Sequence, residues 1–148
     1  MATVSVDRVI DAPVAEVWKS WDDFGNISVF HPLLKSSHLL GAQQTGKGAT
    51  RQCDLKDGNS IQERIIEYVP HERLVVDIYN GTLPLRRAIV TFVLTPMGQK
   101  TNVKMSIEFA PKYGPMGALM VPLMKPQFRK MMLTLLDGNA VHVEGVAA

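Results

Sequence analysis

The chain has 148 residues, 46% hydrophobic and 20% charged, with a formal net charge of +2. That suits one domain burying about two-thirds of its unfolded surface and argues against a nucleic-acid partner, because the lysines and arginines form no stripe. A single cysteine, Cys53, excludes an intramolecular disulfide and a thiolate zinc cluster. No run of about 18 apolar residues could span a membrane, and "MATVSVDRVIDAP" is no signal peptide, so a cytoplasmic protein, monomer or homodimer, is expected.

Residues 3 to 10, "TVSVDRVI", alternate as a strand does. "DAPVAEVWKSWDDF" then changes to helical spacing, with Val14, Val17, Trp18 and Trp21 on one face. Pro13 suits a first turn, Asp11 stands where a cap would, and Glu16 complements the helix dipole. "GNISVFHPLL" predicts a short one-turn piece stopped by Pro32. Strands are predicted near 36–43, 48–55, 60–69, 73–80, 86–95 and 101–110, with turns at the intervening glycines and prolines. The clearest is "NVKMSIEFA": Val103, Met105, Ile107 and Phe109 share one face while Lys104, Ser106 and Glu108 share the other, as in a sheet wet on one side.

The last segment, "GPMGALMVPLMKPQFRKMMLTLLDGNAVHVE", is the longest helix candidate. Phe128, Met131, Met132 and Leu135 lie on one broad side, with Lys125 and Arg129 on another. Pro122 and Pro126 predict a kinked or broken first half. Tyr113, Met116, Met120, Leu123 and Met124 surround its start and read either as core or as a flexible, methionine-lined portal wall. Sequential strands closed by one long helix predict an α+β domain whose curved antiparallel sheet wraps that helix.

The hairpin "ATRQCDLKDGNSIQERI" holds an anomaly. Ala49, Arg51, Cys53 and Leu55 share one face, as do Ile61, Glu63 and Ile65, so each apolar face carries one charge. With a three-residue Lys56-Asp57-Gly58 loop and Gly58 left-handed, Arg51 opposes Glu63 and Cys53 opposes Ile61. A two-residue turn would set Arg51 against Arg64, a like-charge clash. The longer loop is therefore predicted, and with it a charge pair on the concave face. That pair reads either as a structural lock on register or as the polar anchor of an apolar cavity. Cys53 reads as a small core residue. None of His31, His38, His71 and His142 has a second ligand at metal spacing. No Ser-His-Asp arrangement stands out, and "TGKGAT" lacks the phosphate-loop spacing. No metal or cofactor is expected.

"VIDAPVAEVWKSWDDFGNISVFHPLL", "GKGATRQCDLKDGNSIQERI", "HERLVVDIYNGTLPLRRAIVTFVLTP" and "TNVKMSIEFAPK" together resemble the polyketide cyclase/dehydrase-type branch of the START/Bet v 1-like (SRPBCC) superfamily. The resemblance implies a helix-grip fold: seven antiparallel strands, two short helices between the first and second, and a long C-terminal helix over a hydrophobic cavity. It implies a lipid, isoprenoid or polyketide-like ligand. Plant abscisic-acid receptors are distant cousins, and the loops before "NSIQER" and in "NGTLPLRR" sit where those receptors have gate and latch. Phe30 stands where many relatives have tryptophan, and Met105 where they often have an aromatic residue.

On these grounds the ligand-lining candidates are Phe30 and His31 in the short piece, Arg51, Cys53 and Glu63 in the hairpin, and Val76 and Ile78 in the next strand. Met105 and Phe109 follow, then Tyr113, Met116, Met120, Met124, Phe128 and Met131 of the last segment. The expected function is a carrier or sensor of a small hydrophobic molecule. The alternative is a cyclase, aromatase or dehydratase with Glu63, Arg51 or His31 handling protons. A carboxyl in an apolar cavity suits that work, but a facing arginine favours its ionised form.

Overall fold

The structure is a computed structural model and describes residues 1–147. Strand β1 (Ala2–Ile10) is followed by helix α1 (Val14–Asp22) and a short 3-10 helix (Phe24–Val29). Then come β2 (Leu34–Leu39), β3 (Thr50–Leu55), β4 (Ser60–Val69), β5 (Arg73–Gly81), β6 (Leu85–Met97), β7 (Lys100–Pro111) and helix α2 (Gly114–Ala147). The seven strands form one curved antiparallel sheet in the order β1-β7-β6-β5-β4-β3-β2. Only β1 returns across the sheet to pair β7; all other neighbours are consecutive, joined by hairpins or loops as alternating patterns require.

Parity decides what is buried. Val103, Met105, Ile107 and Phe109 of β7 face inward, and across the ladder Leu94, Phe92, Val90 and Ala88 of β6 do the same. Val17, Trp18 and Trp21 of α1 close one end of the core, where Trp21 packs 4.5 Å from Phe92 and 5.1 Å from Phe30 between ring centres. Helix α2 crosses the open side. Arg8 of β1 pairs with Asp137, and the Asp11 N–H donates to Glu144 at 3.1 Å, so the second half of α2 is clamped to the sheet edge.

Three local expectations are corrected. Asp11 caps nothing: Pro13 occupies the N-cap position ahead of Val14, its carbonyl accepts the first helical bonds from Glu16 and Val17, and no side chain caps the helix. Strand β2 covers Leu34–Leu39 rather than 36–43, because its partner β3 starts only at Thr50 and the side chain of Gln43 folds the intervening loop onto the carbonyls of Thr45 and Lys47. Helix α2 is unbroken through Pro122 and Pro126. Each proline removes one N–H, leaving only the carbonyls of Ala118 and Pro122 without a helical partner, and both prolines are exposed, so water can serve those carbonyls.

Where α2 passes the Phe30–Pro32 segment the two backbones nearly touch. A Cβ on Gly138 would overlap the Phe30 carbonyl and stand 2.8 Å from Pro32 Cδ. Next to it, buried Asn139 donates to Ser20 Oγ at 2.8 Å, so α2 cannot simply back away. Gly138→Ala is expected to destabilise the fold by about 1–3 kcal/mol, overriding the helix propensity that favours alanine by up to about 1 kcal/mol. Gly145→Ala, with open space around it, is expected to be neutral or slightly stabilising. Urea unfolding of the two variants checks the contrast.

Candidate functional site: a charge-balanced cavity under the long helix

The β3–β4 hairpin has the register that charge parity requires. Arg51 faces Glu63, Cys53 faces Ile61, and Leu55 N–H donates to the Asn59 carbonyl at 2.8 Å around a loop whose Gly58 has φ +94°. Ala49, Arg51, Cys53 and Leu55 are all buried. The pair lies deep: Arg51 is 3% exposed and Glu63 5%.

Arg51 is held on several sides. Its Nε donates to Glu63 Oε1 at 2.9 Å, its Nη1 donates to the Phe24 carbonyl at 3.0 Å, and the guanidinium lies 3.8 Å from the Phe24 ring centre. Cys53 Sγ donates to the same Glu63 Oε1 at 3.4 Å. Arg51 Nη2 and Glu63 Oε2 have no protein partner among the described residues, yet neither is sealed off: the buried side-chain nitrogen and oxygen atoms without a partner are Trp21 Nε1 and Asn139 Oδ1. The pair thus keeps one donor and one acceptor without a protein partner among the described residues.

Arg51 and Glu63 both line a cavity of about 100 Å³ between sheet and α2. Its sheet wall is Ile61, Ile78, Val90, Phe92, Met105 and Ile107. Its helix wall is Phe128, Met131, Met132 and Leu135, and Ile27, Leu34 and Leu55 close one end. Leu83 comes from the loop before β6 and Leu85 from the first position of that strand. The volume is below the roughly 300–1,000 Å³ of sites for drug-sized ligands, so anything larger than a small ring requires the methionines of the helix wall to change rotamer, which their unbranched chains allow.

His31 also borders this space. Its Nδ1 accepts from Leu33 N–H at 3.3 Å, which leaves the ring proton on Nε2. Burial lowers its pKa to about 4, with Glu63 pulling it up and Arg51 pushing it down, so at neutral pH it is an uncharged donor. Burial, then the nearby Glu63, pushes the Cys53 thiol far above its ordinary range, and the group stays protonated and unreactive.

Of the fifteen residues read from sequence as ligand-lining, the cavity brings together His31, Arg51, Cys53, Glu63, Ile78, Met105, Phe128 and Met131. The others lie elsewhere. Phe30 is buried against Trp21 and stacks on His142, because the turn at Pro32 directs it toward α1 and the end of α2. Val76 and Phe109 are sealed in the core, Phe109 edge-on to Phe128 at 4.8 Å between ring centres. Met124 packs half-buried on the core without reaching the cavity. Tyr113, Met116 and Met120 are exposed, because this part of α2 presents another side to the sheet. Sequence reading missed Phe92, Val90, Ile107, Leu83 and Leu85, and also Ile27, Leu34, Leu55, Ile61, Met132 and Leu135, which it reads only as strand, helix or core positions. The first three were within reach, since they share parity and register with Met105; Leu83 and Leu85 follow only from how the loop folds back.

Comparison with known proteins adds three findings. The family model described as polyketide cyclase/dehydrase and lipid transport matches residues 1–144. No protein in the curated set matches. Among solved structures, a protein from Thermus thermophilus superposes with TM-score 0.84 at 18% identity, covering 99% of this chain and 100% of its own. A START superfamily protein from Mycobacterium smegmatis gives 0.83 at 14% identity, over 97% and 98% of the two chains. The ZhuI aromatase/cyclase from Streptomyces sp. R1128 gives 0.84 at 10% identity, over 97% and 93%. At these identities the likeness is one of fold.

Proposed function

Because the chain belongs to the polyketide cyclase/dehydrase and lipid transport family, we propose that it binds a small, largely apolar and uncharged molecule in the cavity under α2, as a carrier or sensor. The observation that carries this reading is the lining: apolar on every wall, with its only two charged side chains paired to each other. A hydroxyl or carbonyl at one end of the ligand would accept from Arg51 Nη2 or His31 Nε2, and a hydroxyl could also donate to Glu63 Oε2. A few placed polar groups in an apolar pocket fix orientation in this way.

An enzyme of cyclase, aromatase or dehydratase type remains the second reading, favoured by the same open Glu63 oxygen. It ranks below binding for a chemical reason. A histidine with a pKa near 4 is a weak base at neutral pH, the thiol is protonated, and Glu63 is engaged by a guanidinium.

Native mass spectrometry of gently purified protein, with denatured material giving the bare mass, tests the binding reading. A non-covalent adduct is expected, and Met131→Trp, which fills the cavity from a half-buried position, is expected to abolish it. An adduct unchanged in that variant would place the ligand elsewhere. Turnover of a poly-β-keto substrate, lost in Glu63→Gln while binding survives, would favour the enzyme.

A further inference from the structure

We propose that the first half of α2 is a docking face for an anionic lipid surface. Met116, Leu119, Met120 and Leu123 recur at i, i+3, i+4 and i+7, the spacing of one apolar stripe on a helix. That stripe does not meet the sheet: Met116 is 75% exposed, Leu119 79% and Leu123 62%. Tyr113, just ahead of the helix, is as open as Met116. In the same turns Val121 and Met124 pack on the core. The helix therefore carries two apolar stripes, and only one has a partner among the described residues.

Charge selects the occupant. From Phe109 to Leu136 the chain contains Lys112, Lys125, Arg129 and Lys130 and no acidic residue. Arg86 and Arg87 join this group from β6, since Leu85 pairs with Pro111, Arg87 with Ala110, and Lys112 N–H donates to the Pro84 carbonyl at 3.1 Å. All six basic side chains are exposed. A second copy seated through a two-fold axis would bring this basic rim onto itself, which like charges oppose. A bilayer with anionic headgroups meets both features: the stripe sinks to the acyl boundary while Lys112, Arg86, Arg87 and Lys130 face the phosphates, and a tyrosine suits the headgroup level. Lys125 and Arg129 lie about half a turn away on the opposite side of the helix, where Arg129 Nη1 donates to the Ser5 carbonyl at 3.5 Å. Such a helix lies on the surface, and none here is long and apolar enough to cross, among the described residues.

Flotation of the full chain with phosphatidylcholine–phosphatidylglycerol vesicles, beside phosphatidylcholine alone, tests this. Binding to the anionic vesicles that weakens as salt rises is expected. Leu119→Glu with Leu123→Glu is expected to reduce it by about tenfold or more, with circular dichroism and melting unchanged because both positions are exposed. Equal affinity for both vesicles, binding indifferent to the double substitution, or no binding at all would each overturn the proposal. So would a dimer in sedimentation velocity that the same substitutions dissolve, since the stripe would then belong to a second copy.

Discussion

If the cavity under α2 takes the proposed ligand, Glu63→Gln is expected to turn its preference from neutral molecules to carboxylates. In the parent chain Arg51 and Glu63 cancel, and both are almost wholly out of water. A carboxylate entering this site would bring a second negative charge to a guanidinium already engaged, and desolvating an ion costs several kcal/mol. A phenol or ketone brings no such cost and can still use the open atoms of Arg51 and Glu63. The substitution keeps the shape and one acceptor oxygen but leaves the guanidinium without a counter-charge, which is expected to cost about 3–5 kcal/mol of stability. A carboxylate ligand would then restore what was removed. Naphthol and naphthoate form a matched pair of probes. Calorimetry or thermal shift on the parent is expected to favour naphthol by about tenfold or more, and on the variant to reverse the order, each charge-assisted hydrogen bond contributing about 1.5–3 kcal/mol. If both proteins rank the two probes alike, the charge balance of the cavity does not select its ligand. If neither probe binds either protein, the cavity reading itself fails, and the two failures are distinct.

The pair that carries this prediction was legible in the sequence because a strand has period two and a turn has a length. Once the loop is three residues, Arg51 and Glu63 have to meet, whereas a two-residue turn would set Arg51 against Arg64, like charges directly opposite. The fold was legible for a related reason, since β6 and β7 alternate clearly and turn residues separate the strands from β4 onward. The helix wall was only half legible. Spacing identifies apolar stripes but not where the sheet beneath them ends. Helix α2 is about 50 Å long at 1.5 Å per residue, and Met116 and Met120 are periodic with Leu119 and Leu123 but occupy a side that the sheet does not cover. Phe30 failed for want of backbone direction: a residue ahead of a proline turn can face either way, and packing on Trp21 decides it. For His31 the position beside the cavity was readable, whereas its charge state depends on how much water the surrounding Ile27, Leu34 and Met131 side chains remove.

That charge state leads to the second large effect, a loss of stability on mild acidification that should vanish in His31→Gln. The folded protein holds His31 near pKa 4, below the ordinary 6.5 that the unfolded chain recovers. Between those values the unfolded state binds the extra proton and the folded state does not, so stability rises with pH across this window. The contribution is complete above about pH 6.5 and is lost as the pH falls toward 4, by up to about 3 kcal/mol less whatever solvent at the cavity mouth screens. The cause is chiefly burial. Glu63 favours the imidazolium and Arg51 disfavours it, so their pairing leaves desolvation in command. Glutamine retains an amide that can accept from Leu33 N–H and point a donor at the cavity, without titrating. Urea midpoints for parent and variant from about pH 7 to about pH 4 isolate the effect, because carboxylates common to both proteins cancel in the difference. Parallel curves would mean that His31 is hydrated in solution. Curves that separate only below about pH 6.5 would establish a dry imidazole at the polar end of the cavity, where an arriving ligand would meet a neutral N–H donor rather than a third charge.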